Sequence, residues 1–583
     1  MAATQFWAPE FRIEKRADGT IVMEHPGRAE RLADTVPARL KYWAETTPDA
    51  PYLAQRRNGG DWQRLSYAQV FERVRTLGAA LLELGLSQDR PVLILSENSL
   101  DHALVALAAQ YVGIPSAAVS TAFSLISETH DKLIGVADLL QPGLIFVSDG
   151  ARYAKAVAAI RKPGMAVAAT IPADDLIDIA TLTGDPARAD AAFEKLTGDM
   201  VAKYLFTSGS TGSPKAVINS HDMLARNQDM VADCFRFLRD HPPVVVDWAP
   251  WSHTASGNKV FNMVLCNGGS YYIDEGKPAP HLIRETLRNL REISPTWYFN
   301  VPAGYEMLLE EFRKDRVLAE KFFSRLDMMM YAGAGMAQHI WDGLRDMARD
   351  VAGHDVLLTT ALGATETGPF ALMCTEQQDA PGNVGVPARG ITLKLVPNED
   401  KLEARLKSPS ITPGYYRDEK TTADHFDEEG FYLLGDALRP TDPDDLSKGF
   451  FFDGRIAENF KLATGTWVAV GALRAKLVDH FEGLIRDAVI VGENREELGA
   501  LAFPAEGVSE ADLPALQDKL DTFAAAATGS SNRVRRLVML REPPSLDKGE
   551  ATDKGSINQR AVIRERPGAV AQLYDAPRGV GFH

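Results

Sequence analysis

The sequence predicts an α/β protein, a large multi-subdomain N-terminal body followed by a small α+β C-terminal domain. Three observations predict this. The chain has 583 residues, enough for three or four folding units at roughly 150 residues each. Short unbroken apolar runs alternate with segments of helical apolar spacing, as in parallel strands joined by crossover helices. A polar, turn-rich stretch between Asp436 and Phe460 then sets off a remainder the size of one small domain.

The elements follow in order. Tyr67–Leu86 has helical spacing through Val70, Phe71, Val74, Leu77, Leu81 and Leu82. Pro91–Ser96 is an apolar run with the length of a buried strand. Asn98 or Ser99 can cap a helix through Val112, and Pro115–Ser120 gives the next strand, completing a βαβ unit. Leu144–Val147, Ala166–Thr170, Val201–Phe206 and Pro243–Asp247 are further strands. The domain boundary is expected at 454/455, giving a body of residues 1–454 and a C-terminal domain of 455–583.

Composition narrows the function. Hydrophobic residues make up 45% and charged residues 24%, ordinary for a globular chain. Lys and Arg total 63 against 79 Asp and Glu, a formal charge of -16, so nothing suggests a nucleic-acid or polybasic membrane footprint. Cys234, Cys266 and Cys374 fit no metal-ligand spacing and are expected to be buried thiols. The N-terminus is charged throughout, and Leu100–Ala118 is broken by Asp101, His102 and Pro115, so neither a signal peptide nor a membrane span is expected. A cytoplasmic protein follows as the expectation. Monomer and homodimer stay open.

The strand Val201–Phe206 feeds Thr207-Ser208-Gly209-Ser210-Thr211-Gly212-Ser213-Pro214-Lys215. Small residues let the backbone approach a polyanion, the hydroxyls add donors, and Lys215 adds a point charge. A Walker loop would set Lys directly after Gly, whereas Ser213 and Pro214 intervene here. Met328–Gly335 ends in a Gly333-Ala334-Gly335 turn, and Gln338 occupies the place of a third glycine, which weakens a dinucleotide-binding reading. Glu366 offers a hard oxygen suited to Mg²⁺. Asp436, after Gly435, can accept two hydroxyls or simply serve a turn; Arg455 can fork onto a phosphate or form an interdomain ion pair. His253 lies among Trp248 and Trp251, and a lone His is more often structural.

In this composition and order the loop resembles that of the adenylate-forming acyl- and aryl-CoA synthetase superfamily. Trp251–Ser256, Gly363–Gly368, Leu434–Asp436 and Asp453–Arg455 resemble further segments of that family, in its order. The resemblance implies ATP, CoA and a small carboxylic acid as substrates, Mg²⁺ as cofactor, and a C-terminal domain that rotates between two half-reactions. It implies ATP or AMP contacts at Thr207, Ser208, Gly209, Ser210, Thr211, Gly212, Lys215, Gly333, Ala334, Gly335, Gly363, Ala364, Thr365, Asp436 and Arg455. It further implies an acid pocket at His253, Ala255, Ser256, Tyr298, Gly333 and Gly363, and metal contacts at Glu366 and Thr211.

The departures lie near the C-terminus. The hinge position is Ala457 where most members carry Asp or Lys. Lys461 keeps a basic position found in many ligases, although a plain surface lysine would look the same. The usual terminal Gly-Lys is reversed as Lys554-Gly555; Lys554 is the expected adenylation lysine and Lys548 the alternative. Arg455–Trp467 with Lys554–Arg560 looks most like bacterial feruloyl-CoA synthetases. An acid–CoA ligase for ferulate or a similar aromatic acid is the expected function. A fatty acyl-CoA ligase, a carrier-loading adenylation enzyme and a non-catalytic nucleotide binder are the alternatives.

Overall fold

The computed structural model of the chain describes residues 5–56, 58–173, 175–208, 214–552 and 556–583, with the Ser208 side chain also outside that set. The predicted βαβ unit forms as expected. Val92–Leu95 lies parallel to Ser116–Ala118 on one side and to Leu144–Asp149 on the other. The first of the predicted helices, Tyr67–Glu83, starts on a reciprocal capping box between Ser66 and Gln69. The second, Leu100–Tyr111, starts on Ser99, whose hydroxyl accepts from the His102 amide at 3.0 Å. Among the described residues these strands belong to a seven-stranded sheet whose edge is the hairpin Val201–Ser208 and Pro214–Ser220.

Two further parallel groups build the middle of the body. Val244–Asp247 and Ser270–Ile273 run beside Pro51–Arg56. Trp297–Asn300, Met328–Tyr331 and Leu357–Thr359 form the other. Helices Pro302–Lys314 and Gln338–Ala352 cover this last group and bury Tyr305, Leu308, Trp341 and Leu344 in a core of their own. A largely antiparallel sheet, nine strands among the described residues, closes the body. The C-terminal domain packs Val470–His480 and Leu513–Ala525 on Ile485–Val491, Leu498–Pro504, Val534–Met539 and Gly579–Phe582. The large α/β body with a small α+β domain is the fold the sequence predicts.

One boundary signal has a different meaning. The polar stretch Asp442–Gly449 is not a linker but the tip of a hairpin, because Tyr432–Pro440 pairs antiparallel with Phe450–Arg455. Arg455 is the last residue of that strand and faces Asp436 across the ladder. The three cysteines are buried and unpaired. Among the described residues no helix is long and apolar enough to cross a membrane.

Candidate active site

The Thr207–Lys215 segment joins two antiparallel strands rather than a strand and a helix, and the register sets Thr207 opposite Lys215. Gly209, Ser210, Thr211 and Gly212 lie outside the described residues. Lys215 emerges on the return strand with its ammonium 5.4 Å from the centre of the Tyr415 ring. Thr412–Tyr416 is stitched along that strand: the Ile218 amide donates to Gly414 O and the Tyr416 amide to Ala216 O. The Tyr415 hydroxyl then donates to Glu366 Oε1 at 2.9 Å and lies 3.2 Å from the Tyr432 hydroxyl. Glu366 sits, 8% exposed, in the short turn Thr365–Thr367. Ala364 precedes it, its amide donating to Thr367 Oγ1. Gly363 is required by packing, since a Cβ there would fall 1.3 Å from Pro369 O.

Asp436 belongs to the same cluster. It is 7% exposed, and Arg455 Nε comes within 3.5 Å of its Oδ1 without forming a hydrogen bond. Burial pushes its carboxyl up to about 6; Arg455 opposes the rise, while Glu458 and Glu366 add to it. A buried carboxylate oxygen with no hydrogen-bond partner is uncommon in a settled core and suits an incoming donor.

The expected acid-pocket residues divide. His253 sits on the turn entering the π-helical segment Ala255–Val260, its Nδ1 accepting from the Ala255 amide at 3.2 Å. Ala255 is half-buried on the first turn of that segment. Gly333, with φ at +92°, opens an exposed turn with Ala334 and Gly335 directly beyond Met328–Tyr331. Two expected residues point elsewhere. Ser256 is fully buried and donates to Asp247 Oδ2, which also accepts from the Tyr271 hydroxyl. Tyr298 is fully buried against Tyr305 and Phe322 in the second core, because strand alternation turns its neighbours Trp297 and Phe299 to the opposite face.

Comparison with known proteins fits this geometry. Residues 40–416 match the profile of AMP-binding enzymes, and residues 460–578 match that of the AMP-binding enzyme C-terminal domain. The chain belongs to the AMP-binding enzyme family. Carboxylic acid reductase from Mycobacterium marinum is 26% identical over 636 residues, covering 97% of this chain and 52% of the reductase. The chain thus spans about half of that relative, and less of two other curated carboxylic acid reductases it matches. The 4-hydroxybenzoate–CoA/benzoate–CoA ligase of Rhodopseudomonas palustris is 24% identical, covering 88% of this chain and 91% of the ligase. Among solved structures, the A domain of carboxylic acid reductase from Segniliparus rugosus, bound to AMP and a co-purified carboxylic acid, superposes with a TM-score of 0.70. That match has 20% identity and covers 93% of this chain and 94% of the A domain.

In this AMP-binding enzyme the C-terminal residues are spread out. Ala457 lies on the turn after Arg455, and its carbonyl accepts from the Arg560 guanidinium. Lys461 is half-exposed, 4.7 Å over the Trp467 ring and 3.4 Å from Glu399 of the body. Lys548 is exposed on a loop docked against the body, and Lys554 lies outside the described residues. Two residues escaped the sequence reading. Tyr415 was signalled only by Pro413-Gly414-Tyr415-Tyr416, a motif of ordinary loop composition. Lys259 was hidden in an apolar segment. A small cavity lies along the same segment, lined by His102, Gln110, Ser116, Lys203 and Asn262 among others. There Lys203 donates to Gly257 O at 3.0 Å.

Proposed function

We propose that this AMP-binding enzyme is an ATP-dependent acid–CoA ligase acting on an aromatic acid of the ferulate type. The observation that carries the reading is the cluster of Lys215, Tyr415 and Glu366 beside the buried Asp436, one of whose oxygens accepts no hydrogen bond. Lys215 and the loop before it would grip the triphosphate. Asp436 would accept the ribose hydroxyls, with Arg455 beside it donating to ribose or phosphate. Glu366, with Thr211, would hold Mg²⁺, which when bound neutralises phosphate charge and typically keeps one or two carboxylates among its ligands. His253 would orient the substrate carboxylate for attack on the α-phosphorus, with pyrophosphate leaving. The resulting mixed anhydride activates the acyl carbon, so the CoA thiol can displace AMP without a protein nucleophile. Lys554, or Lys548, would stabilise the charge of the first step, and Lys461 would serve the site after rotation at Ala457.

The aromatic preference draws support from ligases of similar length, including a 4-coumarate–CoA ligase of Pinus taeda, 24% identical over 75% of this chain. A second reading has its own support. The match to one domain of the longer carboxylic acid reductases favours an adenylation unit that passes the acyl group to a carrier protein. Acid-dependent ATP–pyrophosphate exchange and CoA-dependent AMP release, measured with ferulate, p-coumarate, benzoate and octanoate, separate these. The ligase reading expects both with an aromatic acid. Exchange without CoA-dependent release moves the assignment to the carrier reading, and exchange with octanoate alone to fatty acids.

A further inference from the structure

Lys259 is a buried ammonium in an unusual setting. The residue is 4% exposed, and no ion pair joins it to any carboxylate among the described residues. Its Nζ lies among three rings, 4.9 Å from the centre of Phe370, 5.7 Å from Phe235 and 5.8 Å from Trp297, and 2.6 Å from Met330 Sδ. Aromatic faces attract a cation but accept no strong hydrogen bond, so the three N–H donors have only a weak sulfur acceptor. Burial pushes the amine down to about 7. A leucine or methionine would fill this apolar box without that penalty.

The walls of the box locate it relative to the candidate site. Lys259 lies on the π-helical segment Ala255–Val260, six residues after His253 on the turn that enters it. Met330 precedes the Gly333 turn by three residues of nearly extended chain, about 10 Å. Phe370 closes the loop that begins at Gly363. Segments that continue along the chain into His253, the Gly333 turn and Gly363, three of the expected acid-pocket positions, therefore meet around the Lys259 amine. We propose that Lys259 is a specificity-determining residue that hydrogen-bonds an oxygen at the far end of the acid, a phenol, carbonyl or second carboxylate. The proposal rests on the acid-activating reading above and names the substrate class within it: flat or slender acids with a distal oxygen acceptor.

The test uses acid pairs that differ only at the far end, p-coumarate against cinnamate and octanedioate against octanoate. Each is assayed by ATP–pyrophosphate exchange with the full chain and with Lys259→Met and Lys259→Gln. The wild type should favour the oxygen-bearing member of at least one pair by about tenfold or more in kcat/KM, as sites built to pair a buried donor do. Lys259→Met should bring that ratio to about one while KM for ATP stays unchanged, and Lys259→Gln should retain part of it. The same ratio in Lys259→Met, or no wild-type preference in either pair, overturns the proposal. Should no acid support exchange, the ligase reading itself fails. Thermal-shift titration of the same pairs then decides about Lys259, and equal shifts within each pair overturn its assignment. Melting curves of both variants show whether they fold, and Lys259→Gln serves if Lys259→Met does not.

Discussion

The carboxylate of Asp436 is buried, and one of its oxygens accepts no hydrogen bond, so ionising it costs free energy in the unliganded protein. Its folded pKa of about 6 lies above the value near 4 of an unfolded chain. The stability this group contributes is therefore full below about pH 4 and lost as pH rises through 6. Asp436→Asn should stabilise the apo protein by up to about 3 kcal/mol at pH 8, with the difference vanishing below pH 4. Thermal melts at both pH values check this, and equal Tm differences at the two would contradict it. The ligand side has the opposite sign. If the ionised form accepts ribose hydroxyls, KM for ATP should rise as pH falls through 6, and Asp436→Asn should raise it by about tenfold or more at neutral pH. Sequence reached Asp436 through Leu434-Gly435-Asp436, but not its burial. It misdirected Tyr298 for a related reason: a four-residue aromatic strand with both faces covered carries no mark of which face meets which core.

At the scale of elements, close backbone approaches decide what the site can be. Gly257 is the clearest case, since a Cβ there would lie 2.1 Å from Trp251 O and 2.9 Å from Trp251 C. That contact presses the π-helical segment onto the turn carrying His253, and the Gly257 amide also donates to His253 O at 2.8 Å. Gly257→Ala should push the segment outward, costing about 1–3 kcal/mol in stability. It should also blunt the response to acid more than the response to ATP. A KM rise confined to the acid, with a lowered Tm, is the expected result; an unchanged KM for acid would show that the segment does not set the acid site. The sequence carried the periodic elements of the body because their apolar runs are long and regular. It could not carry the π-helical turn, nor distinguish a hairpin tip from a linker at Asp442–Gly449, where the turn residues are the same.

For the whole molecule, the question is what holds the C-terminal domain against the body. The loop Ser545–Glu550 makes a defined contact. Asp547 accepts from the Ser127 hydroxyl at 2.5 Å and from the Glu128 amide at 3.1 Å, and Lys132 Nζ donates to Leu546 O at 2.9 Å. Leu546 packs against the core beneath the first sheet. The loop is stiffened from its own side by the buried Glu550, paired with Arg566 at 2.7 Å and accepting from the Ser545 amide. These partners lie more than 400 positions apart, and none is a family motif, so the docking was invisible in the sequence. The docked loop carries Lys548, so on the proposed reading, with Lys548 as the adenylation lysine, this arrangement would serve the first step. Asp547→Ala removes two charge-assisted hydrogen bonds at a partly exposed site, worth together about 1–2 kcal/mol. If the domain rotates as proposed, that energy would bias docked against rotated states and leave the site residues of the body untouched. Pyrophosphate exchange should therefore slow by about tenfold, while thioester formation from a supplied acyl-adenylate should hold its rate or rise. Equal losses in both half-reactions would make the contact a plain stabilising one, and a falling Tm without a kinetic split would point the same way.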